Sequence, residues 1–412
     1  MSLLASGLLS AQASADSCFK TLPFQLSFFP PLSTNGMENV NSTNLFSVNI
    51  IAGYAGGLNG IEMGGFANVL KKDMRGVQMA GFTNVTGGKM QGIQMAGFCN
   101  INHKEVKGVQ MAGFTNIVSD SVEGSQFAGF ANITSGTFTG WQSAGFINLS
   151  NGNFKGMQDA GFANIAQDSA TGAQLSGFIN VTGKKLQGVQ VAGFANVTGG
   201  NIDGSQIAGF INTAGDVTGT QVSGFINVAK KLRGAQIGFI NYADTLESGT
   251  PFGFLSIVRK GGYRAFELTS NETFQAGMQF KTGSPLFYNI FLVGARPANT
   301  FYWGWGYGFG TNIKNTGALR INLDLVAIHV NENDIWTNHM NLLNKAHLGF
   351  SWQIAKRFAV TAGPTFNVNV INKNNQENIG DDSTIAPWTV FDKMYTATRV
   401  QMWPGFHAAV RF

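Results

Sequence analysis

Two cysteines, Cys18 and Cys99, build no disulfide framework. Cys99 stands where sibling repeats carry Thr, Ala or Ile, so it reads as a tolerated small side chain. Charge is scarce, at 12% of residues, about half the roughly 25% of ordinary globular chains. The net charge of +5 is spread out, and no basic stretch is interleaved with aromatics, which excludes a nucleic-acid surface. It is compatible with mild attraction to an anionic membrane. No apolar run approaches the ~20 residues of a membrane helix, so any membrane crossing must use strands. Acids do not gather in one column and His329, His339, His347 and His407 are dispersed, so no catalytic, cofactor or metal site is expected. Proline is sparse at 9, whereas Gly reaches 54 and Phe 35, far too aromatic for a disordered chain.

What the sequence does have is a repeat. One copy reads Gly76-Val77-Gln78-Met79-Ala80-Gly81-Phe82-Thr83-Asn84-Val85, and its Phe recurs every 16 residues from Phe66 to Phe210, then at Phe225 and Phe239. A period this regular is an architectural statement. Alternation puts Gln78, Ala80, Phe82 and Asn84 on one face and Val77, Met79, Gly81 and Thr83 on the other. The first set is nearly constant and the second drifts. Stacked coils place equivalent residues about 4.8 Å apart, so interior columns must tolerate themselves as neighbours. Amides and aromatic rings do. The constant face is therefore expected inside, as a ladder of Gln78, Phe82, Asn84, Gln94, Phe98, Asn100, Gln110, Phe114 and Asn116. A bend after the Asn is expected to turn the Val85 column inward, and the apolar Met90 column joins the core by parity.

A rival reading makes each decapeptide one membrane strand. It requires alternating short and long loops, whereas the connecting segments here are uniform, which favours parallel coils. The outer face, with Met79, Met95, Met111, Phe127 and Trp141, is half apolar and is the candidate interaction face.

Beyond Asp244 the period dissolves into alternating strands with short polar turns and aromatic ends. Trp and Tyr girdles mark membrane barrels. The last segment alternates and ends on Phe412, with Trp403 and Phe406 before it. It resembles the closing strand of bacterial outer-membrane barrels. The polar stretch 371–400 reads as an exposed loop before that strand.

The fold expected is all-β: a parallel β-solenoid of about 12 sixteen-residue coils, then a small antiparallel β-barrel of about 8 strands. Residues 1–15 fit a signal peptide in their small-x-small sites but lack a basic start, and an ordinary apolar N-terminus stays open. Asp16 and Ser17 before Cys18 make a poor lipoprotein site. Residues 16–60 are an irregular leader with a capping strand at 45–60, 61–245 the array, and 246–412 the barrel.

The motif Gly-x-Gln-x-Ala-Gly-Phe-x-Asn-Val, carried by Gln78, Gly81, Phe82, Asn84 and their equivalents over about 60–245, resembles the Gly-x-Gln-x-Gly-x-x-Asn surface repeats of exported Bacteroidetes and spirochaete proteins. The resemblance implies a bacterial envelope protein and no defined activity. The expectation is a non-enzymatic outer-membrane, surface-exposed protein. Its barrel meets lipid, and its repeats serve as a scaffold for other envelope proteins. A small pore or apolar-ligand channel, and a soluble exported adhesin, are the alternatives.

Overall fold

The computed structural model describes residues 20–297, 300–336, 340–355, 358–372 and 385–412. The segment read as a signal peptide, Cys18 and His339 lie outside the described residues. The protein is all-β, a solenoid of about 14 turns followed by a closed barrel of 8 antiparallel strands. It forms two compact units that divide at Gly177 and Phe178.

In the first unit each coil has a seven-residue strand such as Met90–Ala96 and a four-residue strand such as Cys99–Asn102. Each pairs in parallel with its equivalent 16 residues on, Gln94 against Gln110 and Asn100 against Asn116. The stack starts earlier than the repeat does. Lys20–Phe29, in the stretch read as irregular, pairs in parallel with Ser42–Asn49, which pairs with Gly57–Gly64. These early strands, with further ones beyond 245, raise the coil number above that expected.

Two glycine columns make the coil possible. Gly108 sits inside a strand at φ +138°, a conformation open to glycine, and a Cβ there would stand 1.9 Å from the Gly92 carbonyl oxygen. Gly97, at the corner, leaves only 2.0 Å between such a Cβ and the Gly81 oxygen.

The inward columns are only partly those expected. Gln78, Asn84, Ala80 and Met90 with their equivalents are buried. Phe82 is not: it is 38% exposed, and Phe98 and Phe114 likewise stand outside. Strand parity holds as far as Ala80. Gly81 and Phe82 then form a bend that consumes two residues without the strand pleat. Phe82 is thrown outward, and the inward phase resumes at Asn84. The Val85 column is accordingly half-buried, while the Thr86 column, occupied elsewhere by Asn102, Val118 and Thr134, fills the core. The phenylalanines do form a ladder, with rings 4.7 Å apart and 2° from parallel at Phe82 and Phe98, but on the outer surface.

The two amide columns hold the interior. Asn84 Nδ2 donates to Asn100 Oδ1 at 2.9 Å and to the Met95 carbonyl at 2.7 Å, and the pattern repeats from Asn68 through Asn148. Gln94 Nε2 donates to Gln78 Oε1 at 2.7 Å, and each Gln donates to the coil before it. The Asn chain therefore donates forward and the Gln chain backward. An amide left unpaired in this core would cost about 1–3 kcal/mol.

The second unit continues the pattern from Phe178. From Phe210 the spacing shortens to 15, 14 and 15 residues, and the strands fuse into Ile211–Ser223, Ile226–Ile237 and Ile240–Phe252. Parallel pairing runs on to Lys260, so Leu255–Lys260 belongs to the solenoid rather than to the barrel. The barrel then follows: Tyr263–Asn271, Ala276–Gly283, Tyr288–Arg296, Tyr302–Thr316, Leu319–Glu332, Asn341–Ala355, Phe358–Asn372 and Thr398–Arg411. The last strand pairs with the first, Arg411 against Glu267, and closes it. In the stretch read as one exposed loop, Phe391–Met394 pairs with the closing strand and Ile385 is buried; 373–384 lie outside the described residues.

Glu62 occupies the first position of the Gln column. Gln78 Nε2 donates to its Oε2 at 2.8 Å and Asn49 Nδ2 to its Oε1 at 2.9 Å, so an acceptor ends the backward-donating chain. Full burial pushes its carboxyl above the ordinary value, against the hydrogen bonds from Gln78, Asn49 and Ser47. The folded state thus holds the proton longer than the unfolded chain. Below about pH 4.5 both states are protonated; as pH rises through the raised value, stability is lost. Glu62→Gln should remove that loss. Thermal melts of the full chain from pH 4 to 8 should show a wild-type midpoint falling relative to the variant. Parallel curves would refute the linkage.

Candidate functional site

Two features stand out, one in each unit. In the first, an apolar groove of about 1080 Å³ runs along the solenoid. Its walls are Met63, Met79, Met95, Met111 and Phe127, and its floor is the Ala and Gly of each corner. Four of the five expected face residues, Met79, Met95, Met111 and Phe127, are thus brought together. The fifth, Trp141, belongs to the Val77 column. It is 44% exposed and packs edge-on to Phe127 at 5.0 Å, outside the groove. The methionine column ends because Ser143 and then Asp159 take its place. Methionine is flexible and polarizable, which suits a surface meeting apolar groups of varied shape.

In the second unit the barrel interior is polar and its exterior apolar. Glu267, Lys281, Asp324, His347 and Arg411 point inward and are buried. Phe266, Leu268, Phe280, Trp305, Phe309, Leu325, Phe350, Trp352 and Phe366 alternate with interior positions and are exposed. The run Trp303-Gly304-Trp305-Gly306-Tyr307-Gly308-Phe309-Gly310 shows how the sequence does this. Its aromatics face out and its glycines face in, where Phe274, Ile328, Val326 and Tyr288 occupy the space that side chains would need.

The interior polar groups are mutually satisfied. Lys281 Nζ donates to Asp324 Oδ2 at 2.7 Å and lies 3.2 Å from Glu267 Oε2. Arg411 Nε donates to Glu267 Oε1 at 2.6 Å, and the Gln279 amide donates to the other carboxylate oxygen. The Tyr288 hydroxyl donates to Asp324 Oδ1. His347 Nδ1 stands 3.6 Å from Asp324 Oδ2, and its ring contacts His407 with centroids 4.1 Å apart. Toward the end away from the solenoid, Glu272 folds in from its turn. It lies 3.2 Å from Lys345 Nζ and accepts from Asn367 Nδ2 at 3.0 Å and from the Phe406 amide at 2.9 Å. Beyond it Phe274, Ile328, Leu343, Ile385 and Trp403 form an apolar plug.

Of the closing-strand residues, Phe406 and Phe412 face outward as a girdle requires, whereas Trp403 is fully buried inside. Its position is set by parity, since Trp403, His407 and Arg411 share one face of the strand. Tyr302, another girdle candidate, is buried inside as well. Sequence reasoning did not single out Glu267, Lys281, Asp324 or Arg411. The available signal was their in-phase placement opposite Phe266, Phe280, Leu325 and Phe412.

No family model matches the chain, and no curated protein or solved structure is similar to it.

Lys281 is the hub of the charge network. Lys281→Met would leave Glu267 with Arg411 alone and Asp324 without its closest cation. Breaking one partner of such a buried group costs about 3–5 kcal/mol. The expected result is a markedly lower denaturant midpoint in detergent; an unchanged midpoint would show the network to be dispensable.

Proposed function

We propose that this is a non-enzymatic outer-membrane protein whose barrel anchors a repeat scaffold. The observation that carries this reading is the barrel's polarity, with charge inside and large apolar side chains outside. A soluble barrel buries its apolar face. One with its Phe, Leu and Trp outward is solvated by lipid. The alternating closing strand and the resemblance of the repeats to envelope surface repeats support the same assignment. Carbonate extraction of membranes should leave the protein in the detergent-soluble fraction; complete release without detergent would refute the anchor.

The interior favours an anchor over a pore. An eight-stranded barrel is just wide enough to be filled by its own side chains, and the charge network, the Glu272 contacts and the apolar plug fill this one. Planar bilayers should show no conductance steps. Regular steps would instead establish a channel.

Connector lengths supply an orientation. At the end where the solenoid joins, the strands are linked by 284–287, 317–318 and 356–357. At the far end the links are 272–275, 297–301, 333–340 and 373–397. Outer-membrane barrels keep short turns in the periplasm and long loops outside. The repeats are therefore assigned to the periplasmic side, where the methionine groove would meet envelope partners. Protease added to intact cells should spare the array, and digestion should require a permeabilised outer membrane. Cleavage within the repeats of intact cells would reverse the assignment.

A further inference from the structure

The second unit carries Phe178, Phe194, Phe210, Phe225, Phe239 and Phe254 as one external stack, each 39–47% exposed. Successive rings lie 4.9–5.9 Å apart. At about 200 Å² for a whole Phe side chain, the stack shows about 500 Å² of aromatic surface. That matches the largest apolar patches of ordinary monomers, which are often functional.

The stack does not end at the last coil. Phe254 stacks on Tyr307 at 4.5 Å and meets Phe291 edge-on at 5.9 Å. Both belong to the outer face of the barrel, in phase with Trp305 and Phe309. The joint is specific. Asn289 is buried and donates to the Gly253 carbonyl at 2.6 Å, while its Oδ1 accepts from the Ser256 amide at 2.8 Å. Thr282 Oγ1 donates to the Ser256 carbonyl at 2.8 Å. The aromatic stack and the barrel's outer belt are thus one surface.

Charge is segregated from it. Every charged residue between Phe178 and Lys260 falls five to nine residues after a ladder phenylalanine. These positions form the corner between the short strand and the next long one, at the other end of the coil from the Gly-Phe bend. Ile207, Ile237 and Phe252 extend the apolar rim instead. A surface with aromatics at one edge and Lys, Arg and Asp at the opposite edge has the polarity of an element lying in a membrane interface. A protein-binding surface would be expected to carry a polar rim, and this rim is apolar.

We propose that the phenylalanine ladder of the second unit lies against the lipid bilayer as an extension of the barrel's outer belt. The inference rests on the membrane reading of the barrel. The test uses the full chain with Cys18→Ser and Cys99→Ala, carrying one cysteine labelled with bimane. Phe210→Cys reports the ladder, Lys230→Cys the charged corner and Leu325→Cys the barrel belt. Phe194→Cys replaces Phe210→Cys if that variant does not fold. Each protein is reconstituted into phosphatidylethanolamine–phosphatidylglycerol vesicles and titrated with doxyl-labelled lipid and, separately, with aqueous iodide. Doxyl quenching at Phe210 is expected to match that at Leu325 and to exceed that at Lys230 at least threefold, with iodide acting mainly at Lys230. If Leu325 responds to doxyl while Phe210 responds to iodide like Lys230, the ladder is off the membrane and the barrel reading stands. Shielding of Phe210 from both quenchers would overturn the lipid contact in favour of a protein cover. If Leu325 itself ignores doxyl, the barrel reading fails and the ladder proposal with it.

Discussion

Each coil of the solenoid is bound to its neighbours by two side-chain amide chains that run in opposite directions. Asn donates forward and Gln backward, so every coil both gives and receives on each side. A one-residue slip would bury mismatched groups and leave amides unpaired in a core that excludes water. Register is therefore enforced by hydrogen bonds rather than by close packing of bulky side chains. That frees the remaining core positions to vary: the Met90 column accepts Val106, Phe138, Ala170 and Leu186, all buried. It also explains why the chain tolerates shortened coils after Phe210. There the spacing changes, yet Asn212 still donates to Asn227 and Gln221 to Gln206.

Much of this was legible without coordinates, because a stacked coil repeats its chemistry at the period of the chain. The constancy of Gln78 and Asn84 identified the interior, and the uniform connecting segments identified parallel coils. Phe82 was misplaced for a definite reason. Constancy was taken to mean burial, and strand parity was carried through Gly81, where the chain bends. A column can be constant because it stacks on itself in the open. The barrel interior was illegible for another reason. Its charges come from strands far apart in sequence, and Glu267, Asp324 and Arg411 meet at Lys281 only once the barrel closes. Trp403 shows the same limit, since a tryptophan near a strand end reads as a girdle residue until parity assigns it inward.

The solenoid and the barrel share one design feature with opposite polarity. Each has an amphipathic wall made by alternation. In the solenoid the inward positions are amides bonded along the stack, and the outward ones are drifting apolar residues. In the barrel the inward positions are ions bonded across the lumen, and the outward ones are large apolar residues. In both, backbone and buried polar groups are satisfied internally, so neither exterior needs polar side chains for stability. The scarcity of charge follows directly from that arrangement.

What charge there is has been confined to the array's connecting corner, apart from the buried Glu62 and from Asp159 at the end of the methionine column. A solenoid in water has no reason to keep its other corner so free of charge, because an exposed polar residue beside Gly81 or Gly97 would not disturb the amide chains. The free corner instead carries phenylalanine in coil after coil. Stacked rings 4.7–5.1 Å apart within the regular coils gain little over a more offset geometry, so ring contact alone is a weak reason to keep them. Contact with an apolar medium along the length of that corner is a stronger one. The stack of Phe254 on Tyr307 places the end of the corner on the surface that lipid is proposed to cover.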